Sequence, residues 1–265
     1  MSRPDTALLW AADAQVLFER AVAECSDLHG PSRLPGWTRG HVVCHVARNA
    51  EGLVRLLHWA RTGIETPMYP SMAARAADIE AGARRPLDEQ LDDVRNTGAA
   101  FAAATRELSA QHWEATVHTG QGPVSAATIP WARVRELWLH LVDLNAGATI
   151  DALPEDIATA LVRDVAGWMA SRVSTRIELR IPGSEVVTFG PETSAPVSIC
   201  GSVQELAGWL TGRCQGDRLV APAGLPDLPG WIDRRPTHAG AITSTVMLSV
   251  PPASLAASVR ARQAC

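Results

Sequence analysis

The sequence predicts an α+β protein, a helical bundle followed by a small α+β domain, and three observations carry that reading. Apolar residues recur at helical spacing through roughly the first 170 positions. After Ser174 the period changes to two, as in the stretch from Thr175 to Ile181. The composition, 46% hydrophobic and 20% charged over 265 residues, fills one large core or two smaller packed ones. The expected division is 1–172 for the bundle, 173–232 for the α+β domain and 233–265 for a tail. That tail is rich in small residues and contains Pro236, Pro251 and Pro252, and no apolar period survives in it. Truncation after Ile232 is therefore expected to leave the fold intact.

The elements follow in order. From Ala7 to Glu24, Leu8, Leu9, Ala12, Val16, Leu17 and Val22 mark an amphipathic helix. Leu34-Pro35-Gly36-Trp37 is a turn, after which Thr38 is placed to cap a long helix ending near Thr62-Gly63. Pro67 and Pro70 interrupt the chain, and a third, alanine-rich helix runs from about Leu87 to Leu108. His118 to Pro123, with two glycines, reads as a loop. Trp131 opens a fourth helix that ends at Asn145-Ala146-Gly147, with Gly147 just past its last turn. Leu153-Pro154-Glu155-Asp156 starts a fifth, carrying Ile157, Leu161, Val165 and Met169. In the second domain, 175–181 and 186–190 form a hairpin around Pro182-Gly183. A third strand at 196–200 and a helix at 203–212 follow.

Several function classes are excluded. No apolar run approaches the roughly 18 residues that span a bilayer. The N-terminus enters a helical pattern directly, without a secretory signal, so a cytoplasmic protein is expected. A net charge of −4 argues against a nucleic-acid partner. All 24 cationic residues are arginine, which removes Schiff-base and lysine-base chemistry. The five cysteines are widely spaced and lack a C-x-x-C pair, so they read as reduced, mostly buried thiols.

Histidines offer the chemistry. His41 and His45 lie four apart, on nearly the same face of the helix after Trp37, and Glu136 and His140 repeat that spacing on the helix after Trp131. A Glu-x-x-x-His pair facing a histidine on a neighbouring helix is a common way to build a three-ligand metal site in a bundle. Two nitrogens and one carboxylate oxygen suit zinc and leave a coordination position open. Spacing alone more often marks a satisfied core or surface histidine.

The segment from Leu34 to Ala50, Leu-Pro-Gly-Trp-Thr-Arg-Gly-His-Val-Val-Cys-His-Val-Ala-Arg-Asn-Ala, resembles the signature of the mycothiol-dependent maleylpyruvate isomerase family. That family belongs to the DinB-like helical-bundle metalloenzymes. A second element runs from Arg135 to Gly147. A closing one combines Leu210-Thr211-Gly212-Arg213 with the segment from Leu225 to Trp231. The resemblance covers roughly 5 to 232. It implies metal ligands at His45, Glu136 and His140, with His41 beside the site. Asn49, one turn after His45, either lines a thiol-binding pocket or is a polar residue buried near the bundle axis. Asp143 either orients a ligand imidazole or caps its helix. Arg213 matches a family arginine with an active-site role and suits a substrate carboxylate, or else it answers a helix dipole.

The resemblance further implies a divalent metal, zinc before others, and mycothiol as thiol cofactor or co-substrate. Zinc lowers a thiol's pKa from about 8.5 so that it loses its proton near neutral pH. Thiolate addition to maleylpyruvate makes the cis double bond a rotatable single bond, and elimination after rotation gives fumarylpyruvate. Two other readings compete: a mycothiol S-transferase acting on an electrophile in detoxification or natural-product assembly, and a non-enzymatic binding or regulatory protein. The first two need only a small-molecule substrate and a small thiol.

Overall fold

A computed structural model of the chain describes residues 3–231, apart from 121 and 194. Helix α1 (Asp5–Ala23) buries Ala11, Ala14, Phe18 and Val22. Three of the apolar positions expected to face inward, Leu9, Val16 and Leu17, are exposed instead. The helix is rotated so that its alanines face α4 and α6, where small side chains allow close approach.

Helix α2 (Arg39–Thr62) is the axis of the bundle, with fourteen buried residues from Gly40 to Ala60. Thr38 caps it by accepting from the His41 backbone N–H, and the His41 ring accepts from the Thr38 N–H in return. Gly63, at φ +73°, ends it. Helix α3 (Met72–Gly82), capped by Ser71, was not anticipated, because its alanines give no apolar period. It reaches α2 closely: a side chain at Gly40 would drive into the Ala83 carbonyl.

Helix α4 (Leu87–Arg106) packs on α2, and a short α5 (Ala110–Glu114) follows. The expected loop at 118–123 is instead part of a two-stranded antiparallel ribbon. It pairs β1 (Thr116–Thr119) with β2 (Gly122–Ser125) and sets Val117 opposite Val124. A two-stranded ribbon is all edge, so Pro123 interrupts no interior ladder. Helix α6 (Ile129–Asp143) ends earlier than expected. Asn145, not Gly147, takes the left-handed position after the cap, at φ +55°. Asparagine tolerates that conformation. The last carbonyls of the turn are then bonded by Arg39, whose Nε reaches Leu144 O and Nη2 reaches Asn145 O. One arginine thus ties the start of α2 to the end of α6.

Helix α7 (Glu155–Met169) leads to the three-stranded sheet of β3 (Ile177–Arg180), β4 (Val187–Phe189) and β5 (Val197–Cys200), in the order β4-β3-β5. The hairpin is as expected, with Ile177 opposite Phe189, and β5 runs parallel to β3. Helix α8 (Val203–Thr211) packs against α7 and stops at Gly212. Trp231 is buried, with Arg135 over its ring. The tail at 233–265, and with it the proposed truncation after Ile232, lies outside the described residues.

Cys25 and Cys44 are buried free thiols and Cys214 is a half-buried one, as expected. Cys200 departs from that expectation, since it is disulfide-bonded. Cys265 lies outside the described residues. No helix among the described residues is long and apolar enough to cross a membrane.

Candidate metal centre

Three side chains from two helices converge inside the bundle. His45 projects from α2, and Glu136 and His140 from one face of α6, and their ligand atoms all lie within 4.8 Å of one another. Glu136 Oε2 is 3.1 Å from His45 Nε2 and 3.3 Å from His140 Nε2. The two imidazole rings meet edge to face, with centroids 4.6 Å apart, and Trp37 closes over His45 at 5.6 Å. Both histidines are buried, and the Glu136 side chain is only 12% exposed.

The electrostatics follow from one carboxylate shared by two imidazoles. Burial lowers the His45 pKa to about 4, only partly opposed by Glu136. Burial alone would lower His140 too, but the Asp143 and Glu136 carboxylates more than offset it and raise it to about 9. Burial pushes the Glu136 carboxyl upward, and the two imidazoles reverse that and hold it well below the usual range. His140 Nε2, though 3.3 Å from Glu136, is a buried polar atom without a hydrogen-bond partner. Orphaned buried donors or acceptors are rare in folded proteins. A divalent cation fits here, replacing the His140 proton as the positive charge.

A chain of contacts stands behind the cluster. His140 Nδ1 bonds Asp143 Oδ2 at 3.0 Å, so Asp143 orients the imidazole and does not cap the helix. Arg213 approaches Asp143 with both prongs, Nε to Oδ1 at 3.2 Å and Nη2 to Oδ2 at 2.7 Å, and donates Nη1 to Thr211 O. Its side chain is 3% exposed, and every nitrogen of its fork has a protein acceptor. In this arrangement its action on the site passes through Asp143. On the other side, Arg75 Nη2 lies 3.0 Å from His45 Nδ1.

Asn49 is buried, and its Oδ1 accepts from Arg133 Nη1 at 3.2 Å. Arg133, 1% exposed, also bonds Val46 O and Gln15 Oε1. Asn49→Ala is expected to cost about 1–3 kcal/mol by removing a bond to a buried charge. Thermal unfolding checks it. Loss of thiol affinity at unchanged stability would instead place Asn49 in the thiol pocket. His41 stands apart from the cluster: it caps α2 and pairs with Glu80 at 3.0 Å.

Sequence reasoning missed Arg75, Arg133 and the bond between Asp143 and Arg213. The two residues of that bond are 70 positions apart, which no local pattern can connect. Arg75 lies on the helix that was not anticipated, a single cation among alanines.

The fold and the cluster together define a DinB-like helical bundle with a two-histidine, one-carboxylate centre, completed by a small α+β part. The family model described as the mycothiol maleylpyruvate isomerase N-terminal domain matches residues 9–145. The chain belongs to the mycothiol maleylpyruvate isomerase family. It is similar to a crystal structure of the mycothiol-dependent maleylpyruvate isomerase at 30% identity and a TM-score of 0.78, over 87% of this chain and 100% of that one. A histidine-to-alanine mutant of that isomerase aligns with the same figures. Among curated proteins, none matches the chain.

Proposed function

We propose that the protein isomerises maleylpyruvate or a close analogue from cis to trans, using mycothiol as the attacking thiol and a divalent metal, zinc, held by His45, Glu136 and His140. The observation that carries this is the buried convergence of these three side chains, with His140 Nε2 left unpartnered, in a chain of this family. Nitrogen–nitrogen–carboxylate donor sets are those of catalytic zinc. When bound, such a metal supplies a Lewis-acid position that lowers a thiol's pKa toward neutrality.

The chain's own residues do the rest. Asp143 accepts a hydrogen bond from His140 Nδ1, which leaves Nε2 as the nitrogen that would give up its proton to a metal. Burial pushes the Asp143 carboxyl up, but its bond to His140 and the charge of Arg213, contributed by the segment after α8, outweigh that and keep it ionised, with the Arg213 fork holding it in place. Trp37 and the aliphatic core around α2 exclude water. No thiol among the described residues can be the nucleophile. Cys44 donates to Asp78 O, and burial pushes its pKa up. Cys214 is raised to about 11 by burial, Cys25 bonds Asp27 O, and Cys200 is disulfide-bonded. The family's dependence on mycothiol supports an external thiol as the nucleophile.

Incubating zinc-loaded protein with maleylpyruvate, with and without mycothiol, tests the proposal. Fumarylpyruvate is expected to form only with the thiol. Tight thiol binding without isomerisation would favour the S-transferase reading. A thiol that neither binds nor perturbs the metal would defeat both.

A further inference from the structure

The hydrogen bond between Arg75 and His45 limits what His45 can do. A guanidinium only donates, so the contact between Arg75 Nη2 and His45 Nδ1 requires a lone pair on Nδ1. A neutral imidazole carries one proton. Here it sits on Nε2 and is donated to Glu136 Oε2, 3.1 Å away. Ligation through Nε2 demands the opposite tautomer, with the lone pair on Nε2 and the proton on Nδ1. The proton changes nitrogen, and none is gained or lost. Nδ1–H then faces a cation that cannot accept it, so the two bonds of His45 exclude one another.

Arg75 is suited to a second task. It is half-buried on α3, with its guanidinium carbon 5.5 Å from the centre of the Tyr69 ring. Among the described residues no carboxylate pairs with it. Two other arginines near the cluster are occupied: Arg133 by Val46, Asn49 and Gln15, and Arg213 by Asp143 and Thr211. A guanidinium without a carboxylate, 3.0 Å from an imidazole of the centre, matches an anionic substrate, since its fork binds carboxylates bidentately.

We propose that Arg75 competes with the metal for His45 and, once it leaves the imidazole, holds a carboxylate of the substrate. This rests on the isomerase reading only in taking that substrate to carry a carboxylate.

Two titrations test it on wild type, Arg75→Leu and Arg75→Lys. In the first, metal-free protein competes for zinc with a chromophoric chelator. Arg75→Leu is expected to bind zinc about tenfold more tightly, having lost both the competing donor and a repelling charge. Arg75→Lys, which still donates, should stay within about threefold of wild type. In the second, maleate is titrated into zinc-loaded protein by calorimetry. Arg75→Leu is expected to lose at least about tenfold in affinity and Arg75→Lys less, because a lysine cannot bind bidentately.

Opposite shifts in the leucine variant support the assignment, since a purely structural role would weaken both. Unchanged or weaker zinc binding in that variant, or unchanged maleate binding, overturns it. Should Arg75→Leu unfold, Arg75→Lys decides: weaker maleate binding at near-constant zinc affinity supports the assignment, and unchanged maleate binding overturns it. If the wild type shows no thiol-dependent isomerisation while the two affinities still move apart, the proposed reaction fails and the assignment of Arg75 stands.

Discussion

His140→Ala is expected to abolish stoichiometric metal binding, with affinity falling by more than about a hundredfold. The estimate starts from the tenfold to hundredfold losses that follow removal of residues merely supporting a ligand, and removing a ligand itself costs more. The side chain lies at the centre of the cluster and is 2% exposed, so neither water nor an exposed neighbour can readily take its place. Elemental analysis of wild type, His140→Ala and His41→Ala checks the expectation. His41 is the internal control, because it lies on the same helix as His45 yet is engaged by Thr38 and Glu80. Equal metal in wild type and His140→Ala would remove the assignment, and loss of metal in His41→Ala would redraw it.

The second large effect is expected behind the cluster. Asp143 and Arg213 form a two-pronged ion pair with side chains 2% and 3% exposed. Removing one partner strands a buried charge, which costs about 3–5 kcal/mol. Arg213→Leu should therefore lower Tm by about 10 °C in a chain of this size. Asp143→Leu should do the same and also weaken metal binding by about tenfold to a hundredfold, because His140 loses the acceptor that fixes its tautomer. The double variant separates the two roles. Without either charge, much of the lost stability should return, but the metal affinity should not. If Arg213→Leu leaves stability and metal affinity untouched and only raises KM, Arg213 holds the substrate directly, and the placement of its fork on Asp143 is not what matters in solution.

The choice of His45, Glu136 and His140 as candidate ligands came from the family resemblance, whereas the order of helices and the later change to strands were legible in the sequence for one reason. Periodicity encodes which residues share a face, and α2 and α6 are long enough to express it. Glu136 and His140 stand four apart on one helix, so their convergence needs no tertiary information. The expectation of inward-facing Leu9, Val16 and Leu17 failed on the same ground. Periodicity marks a stripe, but which stripe of α1 turns inward depends on how closely α4 and α6 can approach, and that favoured the alanines. Helix α3 and the ribbon β1–β2 were missed because alanine carries no contrast and because a proline and two glycines mark loops as readily as edge strands.

By itself, then, the sequence determined that two helices would each present side chains able to ligate a metal, and that the helices would be followed by a small sheet. The tertiary structure alone decided that Glu136 Oε2 lies between the two imidazoles, 3.1 Å from His45 Nε2 and 3.3 Å from His140 Nε2. It also decided that Asp143 meets Arg213 across 70 residues and that Arg75 lies against the imidazole of His45. The spacing of residues along one helix fixes only their relative angles. The rotation of each helix about its own axis, and the partner it meets across the core, are set by the packing of side chains far apart in the chain.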